Sequence, residues 1–107
     1  MSEHGVLLTT LPGKEQAQSL ARMLVEEKLA ACVQILPIES FYRWEGTVQN
    51  EGEVLLLIKT RTALFDTVIA GIKAAHPYTV PEIVGWPFSA GHLPYLGWID
   101  ESTLPPR

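Results

Sequence analysis

The segment Val54-Leu55-Leu56-Leu57-Ile58 is apolar at every position, and no other stretch constrains the 107-residue chain as much. Alternate side chains of a strand face opposite ways. Leu55 and Leu57 therefore face one side of a sheet, and Val54, Leu56 and Ile58 face the other. Both sides need cover, and the fold has to supply it.

The flanking segments supply cover for one side. Residues 5–11, a compact aliphatic and threonine run, predict a strand that Pro12-Gly13 stops. A helix is predicted from about residue 14 to 30, with Gly13 as N-cap and Glu15 in the first turn. Its apolar stripe is Ala17, Leu20, Ala21, Leu24, Val25 and Leu29. A second strand starts near Ala31 and continues, with an irregularity expected at Pro37, through Phe41-Tyr42-Arg43-Trp44. Either Glu45-Gly46 or Asn50-Glu51-Gly52 turns the chain next. The second is preferred, because it allows a long hairpin with Gly46 as a bulge or bend. The third strand covers residues 53–60. A second helix runs from Thr62, as N-cap, to His76, with Leu64, Val68, Ile69, Ile72 and Ala75 inward. Gly71 weakens it by about 1 kcal/mol relative to alanine, and Pro77 ends it. Residues 80–88 form a fourth strand, residues 95–102 a short closing helix, and residues 104–107 a tail.

The order β-α-β-β-α-β is that of a ferredoxin-like α+β sandwich with a long hairpin, here one domain over residues 1–107. Prolines belong on sheet edges, where a missing N–H costs no ladder bond. Strands one and three contain none, whereas Pro37 lies in the second and Pro81 and Pro87 in the fourth. Strands one and three are therefore central. Right-handed crossovers put both main helices on one face. The other face stays apolar and open, so the chain is expected to work as an oligomer.

Several function classes fall away. A net charge of −4 offers no basic surface, and the central strands are aliphatic where an RNA-binding sheet needs aromatics. No apolar run approaches the roughly 20 residues of a membrane span. The single Cys32 forms no internal disulfide, and Met1-Ser2-Glu3-His4-Gly5 lacks a secretory pattern, so a cytoplasmic location is expected. There is no glycine-rich phosphate loop, HExxH or nucleophile elbow. No enzyme is expected, and no cofactor is required.

Three segments carry candidate chemistry. Cys32, within Leu29-Ala30-Ala31-Cys32-Val33, is either a small buried hydrophobe or a metal or redox group. No CxxC or CxxH accompanies it, so a metal site would have to be assembled in space. In His76-Pro77-Tyr78-Thr79-Val80-Pro81-Glu82, His76 suits a helix C-terminus as an imidazolium. Equally, its imidazole, the phenol and the carboxylate could converge in a cleft that suits copper or zinc. In Tyr42-Arg43-Trp44-Glu45-Gly46, alternation puts Tyr42 and Trp44 on one face, with Lys59 expected close across the hairpin. Such aromatics either pack against a neighbouring subunit or hold a ligand.

These segments, with Glu53, Lys59-Thr60 and Tyr95-Leu96-x-Trp98, resemble the CutA divalent-cation-tolerance family over nearly the whole chain. The resemblance implies a ferredoxin-like subunit in a tight homotrimer, its long hairpins embracing neighbours in an architecture like that of PII signalling proteins. It also implies a part in tolerance of copper and other divalent metals. By position it implies Cys32, His76 and Glu82 as metal ligands, and Tyr42, Trp44, Lys59 and Tyr78 as cleft residues. The chain departs from the family pattern at Gln34, at Gly91-His92, which adds His92 as a ligand candidate, and at Gly97 in the last helix. Two other readings remain open. One is a PII-like signalling trimer whose Lys59 pairs with a small anionic effector; the other is a structural trimer that scaffolds another protein.

Overall fold

The structure, a computed structural model, describes residues 3–105. In chain order it contains β1 (His4–Leu11), α1 (Lys14–Glu26), β2 (Cys32–Trp44), β3 (Thr47–Arg61), α2 (Phe65–Ala75), β4 (Ile83–Pro87) and α3 (Leu93–Ser102). The strands form one antiparallel sheet in the order β2-β3-β1-β4. The proline-free strands are the central pair, as the sequence predicts.

Register places the core. Leu7 lies opposite Ile58, and Thr9 opposite Leu56. On that face Leu7, Leu11, Leu56 and Ile58 meet Ala17, Leu20 and Leu24 of α1 and Val68 and Ile72 of α2. Each large aliphatic side chain buried in this layer contributes about 1.5–3 kcal/mol. β1 and β4 approach so closely that a Cβ at Gly85 would lie 2.2 Å from the Val6 carbonyl oxygen. The buried Thr60 hydroxyl donates to the Leu29 carbonyl at 2.7 Å, tying β3 to the segment that follows α1.

Several predicted boundaries shift. α1 ends at Glu26 rather than near residue 30. Lys28 there has a φ of 59°, its N–H donates to the Val25 carbonyl, and the Leu29 N–H donates to Leu24. This is a Schellman stop with lysine in the place usually held by glycine. The hairpin turns at Glu45-Gly46, with Trp44 opposite Thr47, and not at Asn50-Glu51-Gly52. Both turn residues have positive φ, 49° and 79°, the pattern whose twist matches the flanking strands. Gly52 instead lies inside β3, paired with Glu39. At the next boundary, a 3₁₀ turn, Thr62–Leu64, precedes α2, so Thr62 is not its N-cap, and the helix stops at Ala75. Finally, β4 begins at Ile83, leaving Pro81 in the preceding loop, whereas α3 begins earlier than expected, at Leu93.

Pro37 does not interrupt β2, which stays in register through it. Gly97 lies within α3 without breaking it. Of the expected tail, Pro106 and Arg107 lie outside the described residues, while the Leu104 N–H donates to the Lys28 carbonyl.

The second face of the sheet is only partly covered. At one end α3 packs over it, where Arg61 Nε donates to Thr103 Oγ1 at 3.0 Å. Elsewhere Leu36, Val84 and Trp86 are exposed, in register with Leu55, Leu8 and Val6 respectively. The β2–β3 hairpin extends past the helices and gives the subunit a long dimension of 44 Å.

Candidate functional site

Where α2 ends, the chain drops into an extended residue, His76 (φ −83°, ψ 135°), because Pro77 follows and disfavours the helical conformation before it. Pairing between β1 and β4 ends at Thr9 and Ile83. One residue further along β1, the Thr10 carbonyl lies 2.7 Å from His76 Nε2. The other ring nitrogen, Nδ1, accepts from the Tyr78 N–H at 3.1 Å. A carbonyl only accepts and an amide N–H only donates, so both bonds are satisfied by one form of the ring: neutral, with its proton on Nε2. His76 thus acts as a strut between the end of β1 and the loop after α2. The Tyr78 ring lies against it, 5.0 Å between centroids.

From this loop Tyr78 reaches the hairpin. Its hydroxyl donates to Glu53 Oε2 at 3.1 Å. Within the hairpin, the Tyr42 hydroxyl donates to Glu51 Oε1. The Tyr78 phenol is pushed up to about 12, first by burial and then by the hydrogen bond and negative charge of Glu53, with Glu51 adding to the field. Two adjoining grooves lie here. One, of about 380 Å³, is lined by Thr10, Ser40, Tyr42, Glu53, Tyr78 and Glu82, among others. The other, of about 580 Å³, runs over Tyr42, Trp44, Pro77 and Tyr78. A wider groove between α1 and the free edge of β2, about 700 Å³, carries Arg22 and Glu26 but no histidine or cysteine. Of the candidate residues, Tyr42, Trp44, Tyr78 and Glu82 line the first two, and His76 adjoins them through its contact with Tyr78.

The structure thus brings together His76, Tyr78, Glu82, Tyr42 and Trp44. It does not bring Cys32 or Lys59 to them. Cys32, half-buried and unpaired, lies opposite Lys59 at the other end of the sheet. Lys59 lies four residues along β3 from Leu55, the partner of Thr10, and so about 13 Å from the His76 strut. Its ammonium sits over the Tyr95 ring, 5.8 Å from the centroid, beside α3. His92 stands at the N-cap position of α3, where its side chain makes no capping bond. Among the described residues, no three His, Cys, Asp or Glu side chains converge in a group that could hold a metal ion.

Sequence reasoning passed over the roles of Glu51 and Glu53. Assigning the turn to Asn50-Glu51-Gly52 removed Glu51 from the strand. With the turn at Glu45-Gly46, Glu51 pairs with Ser40 and Glu53 with Ile38, on the face that carries Tyr42. The signal available was the alternation of Tyr42 and Trp44 with Gln49, Glu51 and Glu53 about a two-residue turn.

A family of CutA1 divalent ion tolerance proteins matches residues 5–102 of the chain. The chain is 50% identical over 99 residues to the divalent-cation tolerance protein CutA of Thermus thermophilus, covering 92% of this chain and 96% of that one. It is equally similar, at 50% over 99 residues, to the chloroplastic protein CutA 1 of Oryza sativa subsp. japonica, covering 92% of this chain but 56% of the rice protein. Among solved structures, that of the periplasmic divalent cation tolerance protein CutA from Archaeoglobus fulgidus superposes with a TM-score of 0.90. The two are 42% identical, with 92% of this chain and 97% of that one covered.

Proposed function

Because the chain belongs to the CutA1 divalent ion tolerance family, we propose that it acts in tolerance of, or response to, divalent metal ions, copper foremost. On this reading it is a cytoplasmic homotrimer that takes the ion in a cleft between subunits. The family match carries the relation to divalent ions. Support for self-assembly comes from the exposed apolar side chains of the second sheet face, Leu36, Val84 and Trp86, since such a face favours a partner surface. The single free Cys32 supports a reducing compartment.

The candidate ligands Cys32, His76 and Glu82 do not fit one ion within one chain. Cys32 stands too far along the sheet, and both His76 nitrogens are already engaged. To present Nδ1 to a metal, His76 gives up its bond from Tyr78, at a cost of about 1 kcal/mol. The ligand set is therefore completed by neighbouring copies. Catalysis is no part of the proposal. A PII-like anionic effector finds less support, because no lysine or arginine lines either groove and Lys59 lies beside α3.

Calorimetric titration of the full-length protein with copper(II), on wild type and on Cys32→Ala, His76→Ala and Glu82→Gln, tests the site. Stoichiometric uptake lost in at least one variant is expected. Identical, non-stoichiometric heats from all four proteins would overturn it. Sedimentation equilibrium giving the mass of a monomer would overturn the trimer, and fractionation checks the compartment.

A further inference from the structure

We draw no further inference here: the strongest candidate, the groove between α1 and the free edge of β2 that Ala21, Val25, Val33 and Ile35 line with Arg22 and Glu26, carries nothing because nothing in the structure shows what covers it.

Discussion

Replacing His76 should loosen the cleft by an amount that its two ring bonds set. His76→Ala removes the Nε2–H bond to Thr10, at 2.7 Å, and the acceptor for the Tyr78 N–H, at 3.1 Å. Neutral hydrogen bonds contribute about 1 kcal/mol each, and the tilted ring contact with Tyr78 adds about 0.5–1 kcal/mol. The sum is about 2–3 kcal/mol. The half-buried site lets water replace part of it, so about 2 kcal/mol is expected. Two further variants separate the bonds. Asn at this position offers an acceptor where Nδ1 stands, and Gln offers a donor where Nε2 stands. His76→Asn and His76→Gln should each recover about 1 kcal/mol relative to alanine. The assay is denaturant unfolding of metal-free protein at one fixed chain concentration, because association would shift apparent stability. If His76→Ala costs less than about 0.5 kcal/mol, or if Asn and Gln fall with Ala, the strut reasoning is wrong. A ring whose only role was to ligate metal would leave metal-free stability untouched.

Three other outcomes are expected. Tyr78 holds its proton to about 12 in the folded chain against 10.0 for a free phenol, so its contribution to stability is complete below about pH 10 and is lost as pH rises towards 12. Phenolate absorbance should show this late titration, and Glu53→Gln should lower it in part, since burial is the larger cause; an unchanged titration would contradict the part assigned to Glu53. At the hairpin, Gly46→Ala should destabilise by about 1 kcal/mol through its positive φ, whereas Gly52→Ala, with no atom near a new Cβ, should stay within about 0.5 kcal/mol; the reverse order in unfolding experiments would restore the turn to residues 50–52. Leu56→Ala, at a fully buried position facing α1 and α2, should cost about 2–5 kcal/mol, and a loss under 1 kcal/mol would mean that the helices do not seal that face.

Much of the fold was legible because its signals are local. Continuous apolar runs mark β1 and β3, and period-3.6 stripes mark α1 and α2, without reference to anything distant, and the absence of proline from residues 4–11 and 47–61 marks the central strands. The doubly apolar run at residues 54–58 already demanded cover on two faces. The same sequence hid the stops that use left-handed backbone without the expected glycine. Lys28 and Glu45 both take positive φ, and each is held there by bonds or strand twist from outside the residue. The site was legible as a set of residue types but not as an arrangement. His76, Tyr78 and Glu82 lie within one short segment, so their proximity follows from chain length alone. Whether Lys59, Cys32, Glu51 or Glu53 joins them depends on sheet register, and a change in the turn moves every pairing along the hairpin.

The sequence by itself therefore determined the order of elements, the strand order and the placing of both main helices on one face, because apolar patterning, proline chemistry and the handedness of crossovers do not depend on register. Only the tertiary structure decided that both His76 nitrogens are engaged and that Lys59 turns to Tyr95. It also decided that two glutamates face the cleft. Those facts are relations between segments far apart in the chain, fixed when the hairpin closes at Glu45-Gly46 and α3 folds across the end of the sheet.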